Sequence, residues 1–375
     1  MNLLIVAGEA SGDLHGARLL SALKRRRPDL AAFGLGGREL EDVGLEPVAD
    51  VSEITVVGLV EVLRILERAK QILATVLEEV DRRQVSGAVL IDFSGFNLRL
   101  AQRLHERGIP IVYFVSPQVW AWRKNRVKTI ARTVSRMLVL FPFEEAFYRE
   151  HGVQAEHVGH PLVDEVPQLP QAWDIAPPDG RPLEVSLLPG SRNGEVRSLL
   201  PVMLDAVGRM AATGSIKVNL IEAPSVDGTI FDELLADFDA TEVERVRDDR
   251  FRRIADSHLA LCASGTATLE VGLLTTPMLV LYRLAPWTYW IARTMVRLPH
   301  VCMVNLVLDE RVVPELIQGQ ANGRHVAEVA TALVNDREAV RTMRTRLSEL
   351  RPALGDGGSV ERAATATLTV FEETR

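Results

Sequence analysis

Four times in 375 residues an apolar run stops at a glycine-containing turn and gives way to helical spacing. The runs are Leu3–Ala7 before Gly8, Gly87–Ile91 before Gly95, Leu183–Leu188 before Gly190 and His258–Cys262 before Gly265. Runs this continuous suit strands buried on both faces, which is the condition of a parallel sheet. Parallel neighbours need a crossover between them, usually a helix. Each half therefore reads as alternating strand and helix, an α/β class. The length suits two domains of about 100–200 residues each. Five prolines between Pro167 and Pro182 read as the linker 167–182, separating domains 1–166 and 183–375.

In open α/β sheets ligands bind at the carboxyl ends of strands, so the turns are the places to read for chemistry. Leu187-Leu188-Pro189-Gly190-Ser191-Arg192 aims unpaired amides and a helix N-terminus at one point and adds a hydroxyl and a guanidinium, a phosphate site. Ser264, Gly265 and Thr266 form a second such turn, with Glu270 one helical turn further on, placed to take a ribose diol. Helix capping is the plainer reading of Ser264 and Thr266, and both roles can coexist. Arg283 follows the strand Met278–Tyr282 and joins the nucleotide-sugar site. In the first half, Asp92 ends a buried run where a catalytic carboxylate is useful; capping is its plainer reading. Gly8, Ser11, Gly12 and Asp13 form the first turn, whose glycines permit close approach of a ligand or simply tight packing. Two such domains facing across a cleft make a bilobed nucleotide-sugar site.

Net charge is −7, so no global basic field recruits nucleic acid. The two cysteines lie far apart and no histidine pair has metal-ligand spacing, so neither metal nor other cofactor is expected. The amino terminus reads as a strand rather than a signal peptide, and no apolar run reaches the ~18 residues of a spanning helix. Contact with a membrane would then be peripheral. Leu59, Val62, Leu63 and Leu66 fall on one helical face, with Arg64, Arg68 and Lys70 nearby. A core-facing helix with solvated arginines is the plainer reading of that pattern, and an interfacial helix the sharper one. Trp120 to Lys128 is the most basic and aromatic passage and leaves the same two options.

Five segments together resemble the lipid-A-disaccharide synthase family. They are Val6-Ala7-Gly8-Glu9-Ala10-Ser11-Gly12-Asp13, Val115 to Arg123, Leu140-Phe141-Pro142-Phe143-Glu144, Leu187 to Arg192 and Ala263 to Ala267. The resemblance implies a GT-B architecture, two Rossmann-like domains, with the last helix packing back on the first. It implies an inverting, metal-independent transfer from UDP-2,3-diacylglucosamine to lipid X at the cytoplasmic face of the inner membrane. Inner-membrane phospholipid is then a partner, and a homodimer is compatible with the family. Asp92 matches the family's general base, and Arg192 and Asn305 match residues needed for activity. Gly190, Ser191, Ser264, Gly265, Thr266 and Glu270 match the UDP pocket. Val60, Val62, Leu63 and Leu66 match a patch for membrane and acyl chains. The family usually reads Ile-Asp-Ala-Pro-Asp-Phe-Asn where this chain has Ile91 to Asn97, so Gly95 stands in place of a second aspartate, and Val304 replaces a proline. The rival readings are a UDP-N-acetylglucosamine 2-epimerase, another UDP-sugar transferase, or a membrane-associated UDP-sugar binder without catalysis.

Overall fold

The computed structural model describes residues 1–51, 62–117, 119–120, 126–170, 181–284 and 299–373, with only the main chain of 10 and 62–66. Two compact units emerge from the contacts: Met1–Pro161 together with Gly355–Arg375, and Leu162–Leu354. Most of the expected linker lies outside the described residues. So do Val60 and the side chains of Val62, Leu63 and Leu66.

The first unit is built on strands β1 (Asn2–Ala7), β2 (Ala31–Leu35), β3 (Leu45–Pro47), β4 (Gly87–Ile91), β5 (Ile111–Phe114), β6 (Arg136–Val139) and β7 (Ala155–His157). They lie in the order β3-β2-β1-β4-β5-β6-β7, all neighbours parallel. Successive strand side chains point to opposite faces. Leu4, Val6, Ala88 and Leu90 accordingly join one core, while Leu3, Ile5, Ala7, Val89 and Ile91 join another. Both faces need a cover, which is why these runs show no polar alternation. The first core is closed by Ile72, Val76 and Val80 of the helix Val62–Arg83 and by the helix Ser94–His105. The second is closed by the helix Ala10–Arg26 and by the last helix, Ser359–Glu373. Phe371 is fully buried there and lies where a side chain on Gly87 would fall. Burying such a ring is worth about 2–3 kcal/mol. Arg26 and Arg27 pair with Glu361 and Glu372 around it.

The second unit carries β8 (Leu183–Leu188), β9 (Ile216–Ile221), β10 (Val243–Val246), β11 (Leu259–Ala263), β12 (Met278–Tyr282) and β13 (Glu315–Ile317). Their order is β10-β9-β8-β11-β12-β13, again parallel throughout. In each sheet the chain starts in the middle, winds one way, then returns to wind the other. The reversal falls between β1 and β4 in the first unit and between β8 and β11 in the second. Such a switch point opens a crevice at the carboxyl ends of its two strands. The turns after these four strands, with Gly8, Asp92, Gly190 and Ser264, flank the two crevices.

Candidate active site

At the first crevice Asp92 follows β4 directly and Gly8 follows β1, with Ala7 and Ile91 in register. Asp92 and Phe93 both adopt left-handed backbone, φ 44° each. For aspartate this costs little, for phenylalanine about 1 kcal/mol or more, so the neighbourhood must hold it. Asn97, wholly buried, donates from Nδ2 to the carbonyls of Ile91 (3.1 Å) and Asp92 (3.0 Å). The Tyr113 hydroxyl donates to the same Asp92 carbonyl. Burial pushes that phenol well above its ordinary pKa, so it stays a donor. The Asp92 carboxyl is half-buried, and its pKa rises to about 6, chiefly through desolvation and secondarily through the nearby charge of Glu9. A carboxylate titrating there is ionised at pH 7 yet basic enough to take a proton.

Gly8 is needed here, but not for a ligand. A Cβ on it would lie 2.2 Å from the Phe93 ring, so the group approaching the Gly8 backbone is Phe93 itself. Gly12 is buried beside Ala7 and Ile91, while Ser11 is exposed. Asp13 is turned away and caps another element. Its carboxylate accepts from the amides of Gly37 (2.7 Å), Glu39 (3.0 Å) and Leu40 (3.2 Å) at the start of the helix Arg38–Asp42. Of this turn, then, Gly8 serves packing and Asp13 serves the fold, while a Cβ on Gly12 would lie 3.7 Å from its nearest neighbours, an ordinary contact.

Further along the same sheet edge, after β5 and β6, stands a group to which sequence reasoning gave no role of its own. Glu144 is 3% exposed and accepts from Ser116 Oγ (2.6 Å), Trp120 Nε1 (3.0 Å) and the Phe141 amide (3.2 Å). Those bonds favour the carboxylate, but burial outweighs them and raises its pKa to about 7. Trp120 and Phe141 both pack on Phe143, with ring centroids 5.0 and 5.6 Å away.

At the second crevice Gly190, φ 122°, makes the turn that leads through Ser191 and Arg192 into the helix Asn193–Ala211. Only glycine takes that conformation without strain. Arg192 is 79% exposed and reaches Glu195 at 3.3 Å. The other Glu195 oxygen accepts the Ser191 amide at 3.1 Å. Adjacent in the sheet, β11 is followed by Ser264, half-buried, and exposed Gly265 and Thr266, where the helix Thr266–Leu273 begins. Among the described residues no side chain caps that start, which leaves its first amides to an anion. Glu270 lies one turn in and pairs with Arg250 at 3.1 Å. Burial raises its pKa, and Arg250 opposes that. Arg250 is the second residue missed, having no motif around it. Arg283 is exposed, its guanidinium 3.5 Å from the Ser198 carbonyl.

Asn305 sits apart from open surface. It is wholly buried: Nδ2 donates to the Val313 carbonyl and to Glu315 Oε1, both at 2.9 Å, and Oδ1 accepts the Val313 amide at 3.0 Å. A side chain so enclosed and satisfied cannot touch a substrate. It braces the start of β13 against the helix Met303–Leu308, so direct participation gives way to a positioning role.

A family model described as lipid-A-disaccharide synthetase matches residues 3–370. The chain belongs to the lipid-A-disaccharide synthase family. It is 41% identical to the Myxococcus xanthus lipid-A-disaccharide synthase over 375 residues, covering 98% of this chain and 97% of that one. The Anaeromyxobacter dehalogenans synthase gives 42% over 374 residues with the same coverage. Among solved structures, Acinetobacter baumannii MurG superposes with a TM-score of 0.61 at 14% identity, covering 98% of this chain and 99% of that chain. The UDP-GlcNAc 2-epimerase of Neisseria meningitidis gives 0.56 at 10% identity, covering both chains fully. Those identities speak for the fold alone, which is GT-B; the family makes the protein a glycosyltransferase. Within the synthase family pattern, the departure at Gly95 has a simple geometry: a Cβ there would meet nothing within 4 Å. The space for the family's second aspartate is open.

Among the described residues no three His, Cys, Asp or Glu side chains group as metal ligands, and no helix is long and apolar enough to cross a membrane.

Proposed function

We propose that this synthase-family chain transfers 2,3-diacylglucosamine from UDP-2,3-diacylglucosamine to the 6-hydroxyl of lipid X, giving a β-1,6-linked disaccharide 1-phosphate and UDP. The observation that carries the mechanism is Asp92: one half-buried carboxylate at a switch point, with its pKa raised to about 6. Asp92 takes the proton of the acceptor hydroxyl as that oxygen attacks the anomeric carbon. The bond from that carbon to the β-phosphate oxygen breaks, its electrons leave with UDP, and the configuration inverts. A general base contributes about 10²–10⁴-fold. Negative charge grows on the departing diphosphate, where Arg192, the Ser191 amide and the amides of Gly265 and Thr266 stabilise it, the Ser264 amide being held by the Leu281 carbonyl. Preorganised donors of this kind contribute about 10²–10³-fold each. Glu195 must release the Ser191 amide as the diphosphate arrives. Glu270, steadied by Arg250, takes the ribose diol, and Arg283 lends further positive charge. Asn305 keeps the start of β13 fixed against the helix Met303–Leu308.

The first unit is thus the acceptor domain and the second the donor domain. Both substrates carry acyl chains, which favours a peripheral position on inner-membrane phospholipid. Val60, Val62, Leu63 and Leu66 supply the apolar face for it. The test is UDP release from UDP-2,3-diacylglucosamine in detergent and EDTA, with and without lipid X. Release that depends on lipid X and survives EDTA is expected. Release that ignores lipid X would favour the epimerase-like or hydrolytic readings, and tight UDP binding without turnover a different acceptor or a non-catalytic binder.

A further inference from the structure

We propose that Tyr113 and Asn97 are positioning residues that clamp the Asp92–Phe93 peptide and so aim the Asp92 carboxylate. The proposal rests on the base role of Asp92. Both side chains end on one atom, the carbonyl oxygen of Asp92, and they come from different elements: Tyr113 from β5, Asn97 from the helix that follows β4. Asn97 holds the preceding carbonyl of Ile91 as well. The two peptides on either side of Asp92 are therefore fixed together.

Neither residue has any exposed surface, so neither meets a substrate. Their chemistry is nevertheless more than the core requires. Every other residue of β5 is Ile, Val or Phe, and a phenylalanine at 113 would fill the same space. A buried hydroxyl is a liability unless it is bonded, and this one is bonded through the turn that carries Asp92. The left-handed pair at 92 and 93 explains the need. Without donors on that carbonyl the peptide is free to turn toward ordinary extended backbone, which swings the carboxylate away from the sheet edge. The Phe93 ring, seated over Gly8, anchors the far side of the same turn.

Tyr113→Phe keeps the ring and removes only the hydroxyl. Its kcat for acceptor-dependent UDP release is expected to fall roughly ten- to a hundredfold, the scale of a small misplacement of a reacting group. KM for both substrates and Kd for UDP stay within about twofold, since ground-state binding is untouched. The discriminating readout is a cycle with Asp92→Asn. A clamp that works through the carboxylate has nothing to aim once the carboxylate is gone, so Tyr113→Phe leaves the residual turnover of Asp92→Asn unchanged. Asn97→Ala enters the same cycle as a second, independent arm. Equal losses in both backgrounds overturn the clamp, as does wild-type kcat in Tyr113→Phe while Asp92→Asn is impaired. Wild-type turnover in Asp92→Asn instead removes the base reading, and the clamp falls with it.

Discussion

Glu195 Oε2 stands 3.1 Å from the Ser191 amide, on the spot where the helix Asn193–Ala211 offers its positive end. The protein's own carboxylate thus occupies part of the surface assigned to the donor's diphosphate. Its other oxygen holds Arg192 at 3.3 Å, so one side chain both orients the cation and competes with the anion. Glu195→Gln keeps the shape and removes the charge, and is expected to tighten UDP binding several-fold by calorimetry, most clearly at low salt. Weaker binding would mean that the charged contact preorganises the turn instead.

Arg192 itself carries almost no structural weight. Its side chain is 79% exposed and its ion pair with Glu195 lies at the surface. Arg192→Ala should change stability by less than about 0.5 kcal/mol. Turnover should nonetheless fall about 10²–10³-fold, because the charge it stabilises exists only as UDP departs. Thermal melts and initial rates on the same preparation check both halves.

Asn305 presents the opposite pattern. Its amide makes three buried bonds, to Val313 twice and to Glu315 once. Asn305→Ala takes the partner from the Val313 amide and carbonyl, while Glu315 keeps the amides of Val301 and Cys302, and should cost about 2–4 kcal/mol. For a unit of this size that lowers Tm by about 5 °C or more, together with activity. Loss of activity with an unchanged Tm would show instead a direct part in catalysis.

Glu144 makes stability depend on pH. Its folded pKa, about 7, lies above the ordinary carboxylate value. The folded state therefore binds its proton more tightly than the unfolded chain does, and stability falls as pH rises from about 4.5 to 7. Glu144→Ala removes the acceptor of one buried and two part-buried donors and should be destabilising at all pH values. Its penalty should shrink between pH 5 and 8, by something on the order of 2 kcal/mol, because the wild type then carries the cost of ionisation. Denaturant titrations at the two pH values read the difference.

The sheets are legible in the sequence because buried parallel strands leave an unmistakable mark. Gly87–Ile91 and Leu259–Ala263 have every residue buried, and their runs show it. The crevices follow from the turns after those runs, and so do Asp92, Arg192 and Ser264. What stays hidden are roles that depend on a partner far along the chain. Tyr113 reads as one more apolar strand residue until its hydroxyl is found on Asp92, 21 positions away. Glu144 lies in a family motif, but its donors Ser116 and Trp120 come from another segment. Arg250 finds Glu270 only across the fold. Gly8 announces a close approach to its backbone, yet nothing local says that Phe93 is the group that folds back over it. Asn305 takes its expected role from resemblance, and only the pairing with Val313 and Glu315 recasts it as a brace.

The raised pKa of Asp92 also makes stability depend on pH. Burial and the charge of Glu9 oppose its ionisation, so the stability it contributes is present at acid pH and lost as pH rises from about 4 through 6. Asp92→Asn should stabilise the protein by something on the order of 2 kcal/mol at pH 8 and by little at pH 4. The acidic limb of kcat/KM in the wild type should fall with an apparent pKa near 6, and Glu9→Gln should move that limb to lower pH.

The base role itself is tested most directly by the turnover of Asp92→Asn with UDP-2,3-diacylglucosamine and lipid X, measured at pH 8 beside its affinity for UDP. Loss of about 10²–10⁴-fold in kcat is expected, with UDP affinity within about twofold of wild type. Near-normal turnover with intact UDP binding would contradict it, and the proton of the acceptor hydroxyl would then have to go elsewhere.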